Sequence, residues 1–386
     1  MENPVEEPIS RLTRDLIAEI LSRVPYKSLC ICKCVCPAWR DLITDPVYRK
    51  KIVQSLAGFF YRITDEAAAF PGVNYADLSA FPWASVPKTH PRLPLPPDST
   101  DRVMSVDDSC DGLFLAAFLL GLENFYTLLP HNGHAGNSSI AYLGFDSGAS
   151  TREFHVFEFL HEWSRQNWGS KKSLSVIAVR IYSSETGAWV EMEPQWDIQV
   201  SLCFGQPGVF RKGCLNLLTY QSVLAIVDTE GVKWRTILLP MFAAKGFSGF
   251  IGESAGRLLY IDSRDSQGYS SNRSLTISVY VLSAEIYNWD VSHLDDECMY
   301  WNFLHKFSNA VPKKKFLKVI GVHPHANLIF MAYSNNELLA YDLDHHESTI
   351  VYHLDHDYRA FMQFFPYVTL LSCLPLDGGI RLATPN

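Results

Sequence analysis

Residues 12–40 read LTRDLIAEILSRVPYKSLCICKCVCPAWR. Three helices are predicted in this stretch and its immediate continuation. Thr13 is an N-cap, and Asp15 falls in the first turn, where a carboxylate suits the helix dipole. Leu16, Ile17, Ile20, Leu21 and Val24 recur at the helical period and make an apolar stripe. Pro25 stops that helix by pushing Val24 out of the α region. A second apolar set, Leu29, Cys32, Val35 and Cys36, again has helical spacing. Pro37 either breaks the second helix or opens a third from its favoured first position. Trp39, Leu42 and Ile43 face one side of the third helix, which Asp45-Pro46 ends.

Three short helices cannot bury this much apolar surface among themselves, because about forty residues is near the lower limit of an independent fold. The surplus is covered by a partner or by the rest of the chain.

The stretch resembles an F-box through Leu12, Asp15, Leu16, Ile20, Leu21, Val24-Pro25, Lys27-Ser28-Leu29, Lys33-Cys34-Val35-Cys36, Trp39-Arg40 and Asp45-Pro46. The match covers residues 9–53 and is similar to plant F-box proteins in particular. The resemblance implies docking onto the Skp adaptor of cullin–RING ubiquitin ligases. The side chains it implicates in that docking are Leu12, Leu16, Ile20, Leu21, Val24, Pro25, Leu29, Val35 and Trp39. Two residues depart from the usual pattern. Thr13 stands where proline is common, and Pro37 stands where a basic residue is common.

The chain has 386 residues, so a large domain beside a small one is expected. Aromatics make up 13%, and 22 glycines and 21 prolines suit a turn-rich β protein. Met1 to Ser10 is acidic and polar, unlike a secretory leader, and the longest apolar run, Leu113 to Leu122, is too short to cross a bilayer as a helix. A cytoplasmic or nuclear location is expected, with no membrane partner. Residues 1–54 carry a net charge of +2 and the remainder −10. That acidity argues against nucleic-acid binding and favours a neutral or basic substrate segment.

Nine cysteines occur, four of them alternating at Cys30, Cys32, Cys34 and Cys36. A tetrahedral zinc site needs ligand pairs separated by a loop, so thiols in a reducing compartment are the expected reading. A short basic helix is expected over Val47–Val53, and the six prolines within 82–101 predict an extended loop. From Gly58 onward short β runs dominate, including Val103–Val106, Gly112–Leu119, Phe125–Leu129, Ile140–Phe145 and Phe154–Phe159. A weak repeat follows, of strand, polar turn and aromatic or β-branched residue. Its units end at Trp189, Trp234, Trp289 and Ile350. A period near fifty residues with about four strands per unit is a propeller signature, and 22–25 strand signals correspond to about six blades. The fold expected is mainly β with a small α N-terminal domain: a three-helix F-box (9–53) followed by a propeller-like domain (56–382). Asp111-Gly112-Leu113-Phe114-Leu115, Trp234–Pro240 and Gly321-Val322-His323-Pro324 resemble the F-box-associated domain of plant F-box proteins.

Three groups invite chemistry. Gly252-Glu253-Ser254-Ala255-Gly256 fits a hydrolase nucleophile elbow, but that elbow needs a helix after the serine and a strand follows here. His323, His325, His345, His346, His353 and His356 lack metal-ligand spacing. Asp295-Asp296-Glu297, Lys313-Lys314-Lys315 and the glycosylation patterns at Asn137 and Asn272 read as solvated loops. No catalytic residue, metal or cofactor is assigned. The resemblance implies a non-catalytic substrate-recognition subunit that reaches cullin and RING subunits through the Skp adaptor. The alternatives are a scaffold outside a ligase, or a propeller sugar-binding module or hydrolase with a helical cap.

Overall fold

The computed structural model describes residues 12–24, 26–45, 48, 56–62, 73–78, 80–81, 103–110, 113–120, 124–126, 138–146, 153–163, 174–203, 205–240, 249–265, 273–289, 300–311, 317–333, 336–354 and 362–368. Pro25, the 82–101 segment, Gly112, Asn137, Asn272, Asp295-Asp296-Glu297, Lys313-Lys314-Lys315, His356 and all of 47–53 except Tyr48 lie outside the described residues.

Three helices open the fold: α1 (Arg14–Ser22), α2 (Tyr26–Cys32) and α3 (Pro37–Thr44). The Leu16 N–H donates to Thr13 Oγ1 at 3.4 Å, so Thr13 caps α1, with Asp15 in its first turn. Cys36 is extended and Pro37 is the first residue of α3, which settles the role of that proline. Val35 was expected on the second helix, but α2 ends at Cys32 and Val35 lies in the turn after it. Ala18, Leu21, Leu29, Leu42 and Ile43 form a buried core among the three helices, with Ile17, Val24, Cys32, Trp39 and Tyr48 packed against it. The Arg14–Asp45 ion pair, 3.0 Å, is largely exposed and adds little. Thr13→Ala is expected to cost about 0.5–1 kcal/mol of helix stability, read from urea unfolding of the full chain, with Thr13→Ser restoring it.

Every strand pairing is antiparallel, and the described strands form six sheets. One sheet sets β1 (Leu56–Arg62) between β2 (Val73–Asp77) and β22 (Gln363–Val368). The next runs β3 (Val103–Cys110), β4 (Leu113–Leu120), β5 (Asn124–Tyr126). A third runs β6 (Ser138–Phe145), β7 (Phe154–Trp163), β8 (Leu174–Ser183), β9 (Ala188–Met192). Then come β10 (Val209–Arg211), β11 (Cys214–Leu218), β12 (Val223–Asp228) and β13 (Trp234–Leu238). The fifth holds β14 (Gly249–Ser254), β15 (Arg257–Asp265), β16 (Arg273–Leu282) and β17 (Trp301–Val311). The last holds β18 (Leu317–Val322), β19 (Leu328–Tyr333), β20 (Glu337–Asp342) and β21 (Glu347–His353). The leading strands touch in sequence: β3 with β6, β6 with β10, β10 with β14, β14 with β18, β18 with β22, and β22 with β3. This is a β-propeller, closed because β1 and β2 complete a sheet whose inner strand, β22, lies far along the chain. Pro366 sits in β22, which is an edge strand of its sheet among the described residues, a position where proline is tolerated.

The core lies between sheets. Phe157, Leu202, Leu215 and Val227 join the third sheet to the fourth, and Leu224, Ile251, Leu258 and Tyr260 join the fourth to the fifth. Ile261, Ile277, Val319 and Ile329 join the fifth to the sixth, and Phe59, Tyr61, Ile320 and Phe330 join the sixth to the closing sheet. Among the described residues four sheets show four strands and two show three. One expectation needs correction. Trp289 opens no strand: a short 3-10 turn, Ala284–Tyr287, intervenes, and the outer strand begins at Trp301.

Lys212-Gly213 and Ala255-Gly256 link the first two strands of neighbouring sheets, with φ of 51° and 72° in one and 49° and 67° in the other. Positive φ at both central residues matches the right-handed twist of the strands and selects glycine. A methyl at Gly213 would meet open space, so Gly213→Ala carries only backbone strain, about 1–2 kcal/mol. Gly231 has φ 67° and also abuts the Met192 thioether, which an added Cβ would have to displace. Gly231→Ala is therefore expected to destabilise more than Gly213→Ala, a ranking that chemical denaturation of the two variants checks.

Candidate functional site: an apolar helical face and the hairpin end of the propeller

α1 is apolar on two sides. Ile17, Ala18, Leu21 and Val24 turn inward, while Leu16 and Ile20, one helical turn apart, are 52% and 53% exposed. Leu12 precedes them at 36%, and Ile31 and Val35 stand out at 63% and 61%. The nine side chains implicated from sequence thus divide. Leu12, Leu16, Ile20 and Val35 are available to a partner, whereas Leu21 and Leu29 are interior. Val24 and Trp39 are half-buried against the helical core, and Pro25 lies outside the described residues. Sequence reasoning missed Ile31. The signal was present, since Ile31 is the large aliphatic in α2 that falls off the Leu29–Cys32 spacing.

The propeller offers a second surface. Its strands alternate in direction, so first-to-second and third-to-fourth connections emerge at the same end. Neighbouring turns there are tied together: Thr229 N–H donates to Gly213 O at 3.2 Å, and Ala255 N–H donates to Pro324 O at 2.6 Å. A cavity of about 570 Å³ runs along the axis, lined by β3, β6, β10, β14, β18 and β22. Its wall includes the carboxylate residues Asp108, Asp146 and Glu253 among mostly apolar neighbours such as Tyr142, Phe250 and Val322. Arg211, Lys212, Glu253 and His325 stand at the hairpin end of that wall.

Ser254 is the last residue of β14 and is followed by the two-residue turn and β15, so no helix completes an elbow. Its side chain is buried, and Oγ donates to Ala326 O at 3.4 Å. His323 is buried in the β18–β19 turn, where Nδ1 accepts from the N–H groups of His325 and Ala326 at 3.1 and 2.9 Å. His345 Nδ1 lies 2.9 Å from Asp342 Oδ2, which holds the imidazole above its usual pKa. Among the described residues no group of three or more His, Cys, Asp or Glu could hold a metal ion. Burial pushes the Cys203 thiol up and Cys214 up to about 11, leaving both as unreactive core groups. Among the described residues no helix is long and apolar enough to cross a membrane.

Residues 9–51 match the family described as F-box domain. F-box protein At5g07610 of Arabidopsis thaliana is 24% identical over 310 residues, covering 72% of this chain and 69% of that protein. F-box protein At3g49510 of the same plant is 26% identical over 237 residues, covering 58% of this chain and 57% of that one. Putative F-box protein At3g19560, also from Arabidopsis thaliana, is 49% identical over 43 residues, 11% of this chain and 12% of its own length. The chain carries an F-box domain in its N-terminal helices, is homologous to Arabidopsis F-box proteins, and folds beyond the F-box as a β-propeller.

Proposed function

We infer that this chain is the substrate-recognition subunit of an SCF-type ubiquitin ligase, working in the cytoplasm or nucleus without catalysis or cofactor of its own. The F-box, taken as residues 9–53, docks a Skp-type adaptor and through it cullin and RING subunits. The propeller, taken as residues 56–382 and read as six blades from its six sheets, holds a substrate protein by turns at one end. The observation that carries this reading is the outward apolar set Leu12, Leu16, Ile20, Ile31 and Val35 beside a helical core that is already filled. Such side chains, left in water, supply a partner with apolar area to bury. Substrate recognition suits the turns because they can vary without disturbing the packed sheets.

Capture of the full chain on an immobilised Skp adaptor, followed by a cullin probe, tests the assignment. Capture with cullin supports a ligase subunit. Capture without cullin points to a scaffold, and no capture removes the adaptor reading altogether. Ser254→Ala is expected to leave folding and adaptor capture unchanged, and a loss of any hydrolytic activity in that variant would revive the enzyme reading.

A further inference from the structure

The turns of the fourth sheet gather four cations around two aromatic rings that come from the fifth sheet. The Arg211 guanidinium carbon and Lys212 Nζ lie 5.6 and 5.4 Å from the ring centre of Tyr287. Lys233 Nζ and the Arg235 guanidinium carbon lie 6.0 and 4.6 Å from that of Trp289. All four approach within cation–π range. Tyr287 and Trp289 belong to the 3-10 connection after β16, which reaches across to the fourth sheet: the Arg235 guanidinium donates to Ile286 O, and Tyr287 Oη donates to Asn216 Oδ1 at 3.0 Å.

The four cations are not equivalent. Arg211 pairs with Glu253 at 3.5 Å and donates to Gly256 O, and Arg235 is occupied by Ile286 O, so the two arginines build the platform. Lys212 and Lys233 are exposed, and neither forms an ion pair within the described residues. Both are held in place by their backbones. Lys212 occupies the two-residue turn before Gly213, and the Lys233 and Val232 N–H groups donate to Asp228 Oδ1 at 3.1 and 2.9 Å. That uses the Asp228 carboxylate on the turn itself. Glu230 and Glu285 are exposed on the same connections and pair with neither lysine.

We propose that this lysine–aromatic patch docks an Asp/Glu-rich segment of a protein partner at the hairpin end of the propeller. Two ammonium groups that already rest against aromatic rings have less freedom to lose on meeting carboxylates than fully solvated lysines, and the rings beside them give the segment apolar ground. The chain carries a net charge of −8, so its overall field does not attract an acidic segment and binding would depend on local contacts such as these. Asp228, Glu230, Glu253 and Glu285 balance the four cations in number, so the selection of an acidic segment rests on the placement of the two ammonium groups over the rings and not on a charge sum. The proposal rests on the reading of the propeller as a substrate receptor and names the chemistry it selects.

The test uses the full chain and fluorescein-labelled peptides of repeating Glu-Gly, Lys-Gly and Ser-Gly, followed by fluorescence anisotropy at low and physiological salt. Only the Glu-Gly peptide is expected to bind, more weakly as salt screens the contact. Lys212→Glu with Lys233→Glu is expected to weaken it by about tenfold or more. Lys212→Arg with Lys233→Arg should retain it, and Lys306→Glu on the outer strand β17, compared with Lys233→Glu alone, serves as the matched charge change elsewhere. Absence of Glu-Gly binding, preference for Lys-Gly, or an equal loss in Lys306→Glu overturns the proposal. Adaptor capture measured in parallel separates the two readings. A failed patch with capture intact leaves the receptor assignment standing, and failed capture with the patch intact removes only the ligase.

Discussion

Leu16→Ala combined with Ile20→Ala is expected to weaken capture of a Skp-type adaptor by roughly thirtyfold to a hundredfold, with no loss of folding. Each side chain is already about half covered, at 52% and 53% exposure, so docking buries only the remainder. Full burial of such a group is worth about 1.5–3 kcal/mol, so half of that for two residues is about 2–3 kcal/mol once the cavity left in the interface is included. That free energy corresponds to roughly thirtyfold to a hundredfold in affinity. Stability should change by less than about 0.5 kcal/mol, because neither side chain is in the helical core and alanine favours a helix. The contrast is Leu29→Ala, which removes a fully buried side chain of that core. It should lower capture only as far as it unfolds the F-box, with a loss of about 2–5 kcal/mol visible in denaturation. Surface plasmon resonance beside urea unfolding separates the two. Equal capture by wild type and the exposed-face variant would falsify the docking assignment.

The division within α1 shows what periodicity can and cannot report. Leu16, Ile17, Ile20, Leu21 and Val24 make a stripe wider than one packing contact needs, and that excess width is legible in the sequence. Which half turns inward is not, because it depends on where α3 lies, and α3 is fixed by Leu42 and Ile43 reaching the same core. The capping by Thr13 was legible, since its hydroxyl acts on a neighbour three residues away. The position of Val35 was not. Helical spacing alone cannot mark the end of α2, which here stops at Cys32 and gives way to a turn.

The propeller repeat was legible for a local reason as well. Each unit ending at Trp189, Trp234 or Ile350 is the third strand, its turn and the outer strand of one sheet, all within a few residues. It failed at Trp289, where an inserted connection displaces the outer strand to Trp301 and turns Trp289 onto Lys233 and Arg235. The lysine–aromatic patch was invisible for the same reason. Its cations and rings come from different sheets, and a charge sum over the domain averages them away. The pairing of β1 with β22 joins residues some three hundred positions apart, and no short pattern encodes it.

That pairing sets the second large effect. Phe59→Ala is expected to destabilise the propeller by about 3–5 kcal/mol, the range for removing a buried aromatic side chain. Phe59 is fully buried in β1, opposite Pro366 of β22, with its ring 5.3 Å from that of Phe330 at 65°. Its edge also fills the space over Gly321, where a Cβ would lie 2.7 Å from the ring. One side chain therefore joins the closing sheet to β18 and β19, and its loss leaves a hole where the ring of sheets is sealed. A net stability of about 5–15 kcal/mol makes this a large fraction of the whole. The companion Gly321→Ala fills part of that hole. In the wild-type background it should destabilise through its clash with Phe59, but combined with Phe59→Ala it should cost less than the two single changes summed, because the clash has gone. Guanidinium unfolding of the four proteins, followed by tryptophan fluorescence, measures the coupling. Additive losses would mean that Phe59 and Gly321 do not share the seam, and that closure rests on the backbone pairing of β1 with β22 alone.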